Sequence, residues 1–429
     1  MKHNIILYTF FLFLISECGR NNCEITQELL EINKLDVNYC PIIDSTIKSL
    51  ANPSIKEINI FIDASGSMTG FMPKSRTSTD FQILIPDIIS KLETEFNNQL
   101  NIYPIYNSKS QMKKSLSISE VQKGIIYGTL AQMGGDSYIP TILDSICRGF
   151  LNPNSVNIFI SDCIYSPINA EKKQVDQATR EIRQAIVNYT KEYFTSIFCL
   201  FSQFNNISNS PYYLIVFGKP ENNQHIENII ENSISTKKQN YKQTNFGLLY
   251  DKPFYSVLPY TNMTPNCIAN PCTNLKDAYA NVEVENFKAV NDSVSFWIAL
   301  NLKKLPNYAK TKNYLVNNLD IVQKRVAEIV EITESVPNDL HKDDKEIAIS
   351  STHFVRVKIS SIDECATTID LRLKYSTPSW ISELNQIESE SNREKTFGLE
   401  RLMKGFSEAY KQDENAFFFN NLTISIIKK

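Results

Sequence analysis

The stretch Phe61-Ile62-Asp63-Ala64-Ser65-Gly66-Ser67-Met68 decides how the first half of the chain is read. Ile58 and Ile60 lead into it with Asn59 between them, an apolar run of the kind that a parallel sheet buries on both faces. An Asp-x-Ser-x-Ser sequence at the end of such a strand sets one carboxylate and two hydroxyls on a tight loop, and Gly66 permits the turn. These are hard oxygen donors of low total charge. They suit Mg²⁺ or Mn²⁺, ions that keep some water and leave a coordination position open. In open α/β sheets such sites form outside the carboxyl edge, near the switch in strand order.

The flanking rhythm supports that reading. Phe81, Ile85, Ile88, Leu92 and Phe96 recur at helical spacing, and Leu100 to Tyr106 reads as a strand. Ile139, Ile142, Leu143, Ile146 and Phe150 mark another helix, and Val156 to Ile160 a strand that ends at Asp162. A helical face follows over Val175 to Tyr189, then strands over Ser196–Phe201 and Tyr212–Phe217, then a helix over His225–Ile234. The alternation predicts an α/β domain with a doubly wound, mostly parallel sheet over residues 51–244. Gly134-Gly135-Asp136-Ser137, just before the helix near Ile139, offers a further hydroxyl or carboxylate.

Three segments in this order (Asp63-x-Ser65-x-Ser67, Asp136-Ser137, and the strand ending at Asp162) resemble the metal-ion-dependent adhesion site of von Willebrand factor A-type domains. The resemblance covers roughly Ile55 to Ser235. It implies that Asp63, Ser65, Ser67 and Asp162 hold one divalent ion, Mg or Mn, directly or through water. The family's middle-loop Thr falls on Ser137 or on Asp136, because the loop holds one residue more than the family's. Cys163 stands where the family usually has Gly. The function it implies is metal-dependent protein binding, with a partner's acidic side chain completing the metal shell. Two alternatives belong to other classes: a metal-dependent hydrolase using Asp136 as base, and a structural assembly protein whose metal site has decayed.

Elsewhere the chain is less specific. Its net charge of −3 over 429 residues, with scattered basic residues, gives no reason to expect a nucleic-acid partner. Lys2 and His3 followed by the apolar stretch Ile5–Ile15 read as a secretory signal over 1–18. Cys18 after that core is similar to the acylated cysteine of bacterial lipoproteins, although Glu17 departs from the usual small residue. The expected location is therefore the cell envelope, with a lipid anchor in a membrane. Residues 19–50 read as a linker or packed arm. Residues 245–429 switch to period-two alternation, as in Val294–Leu302 and Ile369–Tyr375, which predicts a separate β-rich, sandwich-like domain that includes one helix with Leu402, Met403 and Phe406 on its apolar side. Nine cysteines permit local bridges, Cys267 with Cys272 and Cys23 with Cys40. His3, His225, His341 and His353 have no spacing that suits zinc, and no Gly-x-Ser-x-Gly or phosphate-cradling loop occurs.

Overall fold

The computed structural model describes residues 25–42, 52–97, 99–107, 115–131, 137–164, 175–247, 252–261, 267–272, 278–285, 294–338, 340–362, 364–388, 392–413 and 415–429, with the single positions 112 and 275. A short helix α1 (Gln27–Ile32) precedes the first sheet. The sheet and its helices then run β1 (Glu57–Asp63), α2 (Asp80–Phe96), β2 (Leu100–Ile105), α3 (Ile118–Ile126), α4 (Ile139–Gly149) and β3 (Ser155–Ser161). They continue through α5 (Val175–Ile186), β4 (Phe194–Phe204), β5 (Ile207–Gly218), α6 (Pro220–Thr236) and β6 (Tyr241–Phe246).

The six strands lie in the order β2-β1-β3-β5-β4-β6. Strand β1 is parallel to both its neighbours, as its two-sided burial required. Its register is marked by an asparagine row across three strands: Asn101 Nδ2 donates to Asn59 Oδ1 at 3.2 Å, and Asn59 Nδ2 donates to Asn157 Oδ1 at 3.0 Å. Even side chains of β1 (Ile58, Ile60, Ile62) join a core with α2, α3 and α6, while Phe61 joins a second core on the other face with α4 and α5. The α/β layering is therefore as expected, but the mostly parallel pairing is corrected. The ladders β3–β5, β4–β5 and β4–β6 are antiparallel. Only Asn205 and Asn206 separate β4 from β5, too few residues for a crossover helix, so the two strands form a hairpin and β5 inserts beside β3. Asn205 takes φ 50°, the left-handed conformation such a tip needs.

The second half holds β7 (Tyr255–Val257), β8 (Cys267–Cys272), β9 (Ala278–Val284), β10 (Val294–Leu300), α7 (Asn307–Lys310), α8 (Lys312–Asn318), β11 (Leu319–Ile321) and β12 (Ala327–Thr333). After these come α9 (Lys345–Ile349), β13 (His353–Ile359), β14 (Ala366–Lys374), α10 (Trp380–Glu383), β15 (Asn385–Gln386), β16 (Thr396–Phe397), α11 (Leu399–Tyr410) and β17 (Phe417–Lys428). Two sheets, β12-β13-β10-β7 and β11-β14-β17-β9-β8, share one apolar core that includes Phe296, Ile298 and Val355 from the first and Ile369, Leu422 and Ile424 from the second. All ladders there are antiparallel except β9 with β17.

Two segments cross between the halves. Helix α11, expected within the β-rich domain, instead packs its Leu402, Met403 and Phe406 into the second core of the first sheet, where Phe406 stacks on Phe246 with ring centroids 5.4 Å apart. In return the arm over 25–42 lies on the sandwich: Leu30 and Leu35 cluster with Ala366 and Ile427, and Cys40 is bonded to Cys272. That bond corrects both expected bridges. Cys267 and Cys272 are opposite ends of the extended strand β8, roughly 17 Å apart at the ordinary rise per residue, far beyond disulfide reach. Cys267 is a buried free thiol, and Cys365 is also disulfide-bonded. Cys18 and Cys23 lie outside the described residues. Among the described residues no helix is long and apolar enough to cross a membrane.

Candidate metal centre

Strands β1 and β3 end side by side, and their outgoing chains lead to helices on opposite faces of the sheet, α2 in one core and α5 in the other. That divergence opens a crevice above the two carboxyl ends. Asp63 closes β1 inside it, fully buried. The chain then turns through a short 3-10 segment, Gly66–Met68. The turn is set by Asp63 itself, whose Oδ1 accepts the Ser65 N–H at 3.0 Å. Ser65 Oγ and Ser67 Oγ consequently lie 3.2 Å apart, with Ser65 buried and Ser67 half-exposed at the mouth.

Two more hydroxyls reach the same carboxylate. Ser137 Oγ donates to Asp63 Oδ1 and Ser161 Oγ to Asp63 Oδ2, each at 2.8 Å. A serine that gives its proton to a carboxylate keeps its oxygen lone pairs for another electrophile, which is how an outer carboxylate readies a hydroxyl as a metal ligand. Ser137 is thus brought to the Asp63 carboxylate. Asp136 lies outside the described residues. Ser161 was not among the expected site residues. Its signal was only its place one residue before Asp162, at the end of a strand buried throughout.

Asp162 stands close enough to act on Asp63 electrostatically. Burial first, and the Asp162 charge second, push the Asp63 carboxyl up to about 6, against the hydrogen bonds from Ser65 and Ser137 that pull it down. The two buried carboxylates repel one another, and positive charge in the crevice relieves that repulsion. Cys163, next along, takes φ 53° in the left-handed region that favours glycine. It is held there by its N–H bond to Ser161 Oγ at 3.0 Å and by complete burial of its side chain. Burial, Asp162 and Asp63 together raise that thiol far above its ordinary range and hold it in the neutral form.

The residue that sequence reasoning missed outright is Arg393. Its Nη1 donates to Asp162 Oδ2 at 2.9 Å, and its guanidinium carbon lies 4.8 Å from the centroid of the Phe204 ring. No local pattern links position 393 to position 162. The pair exists because residues 392–397 return to the first sheet, where Ser210 Oγ donates to Arg393 O at 2.5 Å and Tyr213 OH bonds Thr396 Oγ1 at 2.8 Å. The donor set fits one small hard cation: several hydroxyls, two carboxylates, and no His or Cys ligand. The chain matches no family model, no curated protein and no solved structure.

Proposed function

We propose that the protein is a divalent-metal-dependent protein-binding module of von Willebrand factor A-like type, exported and lipid-anchored through Cys18. The observation that carries the reading is the convergence of Ser65, Ser67 and Ser137 around the Asp63 carboxylate, with Asp162 beside it. Ser65, Ser67 and Ser137 would hold the ion with Asp63 and Asp162, directly or through water. A bound Mg²⁺ or Mn²⁺ supplies positive charge and an open coordination position to a partner's acidic side chain. The half-exposed Ser67 marks the side from which that side chain arrives. A binding role also agrees with the described residues around the crevice, where Cys163 is a buried neutral thiol and Arg393 is engaged with a carboxylate.

A second reading has one observation in its favour. Arg393 already gives Asp162 a cation, as a structural protein with a decayed metal site would require. Calorimetric titration of the full chain with Mg²⁺ and with Mn²⁺ separates the two. The binding reading expects saturable uptake of one ion, lost in Asp63→Ala and in the double variant Ser65→Ala, Ser67→Ala. Absence of uptake by every folded form, including the Arg393 variants below, would leave the structural reading.

A further inference from the structure

The charges in the crevice do not balance once an ion is added. Among the described residues, Asp63 and Asp162 contribute two negative charges and Arg393 one positive charge, a sum of −1 without an ion. A divalent ion brings the sum to +1. Asp162 and Arg393 are both largely sequestered, with side-chain exposures of 5% and 20%, so water screens this excess poorly.

Arg393 is not a loosely draped surface side chain. Its guanidinium rests over Phe204, whose ring meets Phe71 edge-on with centroids 5.0 Å apart. Phe204 in turn lies so close to Gly70 that a Cβ there would fall 2.6 Å from the ring. Gly70 and Phe71 belong to the same connection as Ser65 and Ser67. The platform under Arg393 is therefore continuous with the metal loop, and the guanidinium is aimed at Asp162 by the fold.

We infer that Arg393 is a built-in counter-cation of the metal centre, a positioning residue that competes with a divalent ion for Asp162 and so sets the ion affinity of the site. The inference rests on the metal-site reading above. It follows that the metal-free protein is kept stable by the guanidinium, that ion uptake requires Asp162 to be shared or released, and that the surplus positive charge of the loaded site is what an incoming carboxylate neutralises. The anionic partner and the ion therefore favour one another's binding.

The test is titration of the full chain and its Arg393→Ala, Arg393→Gln and Arg393→Lys variants with Mg²⁺ and Mn²⁺, paired with thermal unfolding in chelator and in excess Mg²⁺. Removing the charge should tighten ion binding by about tenfold or more, the size expected of a unit charge beside a poorly screened ion. Lys keeps the charge but not the planar seat over Phe204, so its ion affinity should fall between those of the parent and the neutral variants. In chelator the Ala and Gln variants should melt lower than the parent, and Mg²⁺ should recover more of their loss than it adds to the parent. Uptake by the Ala or Gln variant but not by the parent is the strong form of the same result. Equal or weaker ion binding in both neutral variants would overturn the competition while leaving the metal site in place. No uptake by any folded form would remove the metal site itself, and this inference with it.

Discussion

Asp63 and Glu227 are both buried carboxylates of the first half, and their surroundings use burial differently. Asp63 accepts three hydrogen bonds and opens onto the crevice mouth at Ser67. Glu227, on α6, is enclosed with Ser196, Asn245 and Gln243, and Asn245 Nδ2 reaches its Oε1 at 3.0 Å. Asn245 Oδ1 and Gln243 Oε1 nearby are buried acceptors without a donor. Burial holds a proton on Glu227 up to about 8, against the ordinary 4.5, despite the hydrogen bonds that favour the charged form. Between those two values the folded protein keeps a proton that the unfolded chain releases, so this group makes stability fall as pH rises from 4.5 towards 8. The slope is roughly 1.4 kcal/mol per pH unit at most. Glu227→Gln keeps the shape and removes the titration. Its urea midpoint should drop less than the parent's between pH 5 and pH 8, and parallel drops would show that Glu227 is charged in the fold. Asp63, Ser65 and Ser67 could be read because five consecutive residues carry them. Glu227 could not, because on sequence it reads as the polar face of α6, and only the edge strand β6, unassigned from periodicity, brings Gln243 and Asn245 over it.

Among the elements, α11 shows how far an apolar stripe can be read. Leu402, Met403, Phe406 and Tyr410 declare a buried face, but periodicity does not say which surface covers it. The answer depends on Gly405. A Cβ at that position would fall 2.6 Å from Ile182 Cβ and 3.0 Å from the Thr179 carbonyl oxygen, so the missing side chain lets α11 lie directly on α5. Thr179 Oγ1 then reaches the Arg401 carbonyl at 3.2 Å across the same seam. Two effects compete in Gly405→Ala. Alanine favours a helix interior by about 1 kcal/mol over glycine. Overpacking a close contact costs about 1–3 kcal/mol, and both clashing atoms sit on or next to backbone, where little can give. The clash should win, lowering the melting temperature of the full chain. A higher melting temperature would mean that the two helices have room to separate. The β4–β5 hairpin escaped the reading for a similar reason. Asn205-Asn206 is a good tip, but the strand ends beside it, Gln203 and Ile207–Ser210, are too polar to extend the apolar runs seen on either side.

At the scale of the molecule, the two halves are interlaced through exchanged segments, and that changes what can fold alone. The arm over 25–42 is held to the sandwich by the Cys40–Cys272 bond, with Asn33 Nδ2 on the Ala366 carbonyl at 3.2 Å and Ser425 Oγ on the Tyr39 carbonyl at 2.6 Å. Residues 380–388 and 392–410 cross the other way. Beyond α11, Trp380 and Ile381 also enter the core of the first sheet, and Tyr410 OH meets Thr195 Oγ1 at 2.8 Å. The change of rhythm read near position 245 coincides with a change of architecture, but segments cross it in both directions. A fragment over 52–247, the natural choice for isolating the metal centre, would lose the cover of Phe217, Phe246 and Ile182. It would also lose Arg393 from Asp162. Burying each of Leu402, Met403 and Phe406 contributes about 1.5–3 kcal/mol. Their joint removal is therefore on the order of the 5–15 kcal/mol that holds an ordinary domain together. The fragment should bind a hydrophobic dye and melt without a cooperative transition, while the full chain melts sharply. Supplying residues 378–412 as a separate peptide should restore part of that transition, because the seam on α5 and β6 is intact in the fragment. Should the fragment alone melt cooperatively near the full chain's temperature, α11 would be an accessory to the first sheet and not part of its core, and the Arg393 segment would lose its anchor in the fold.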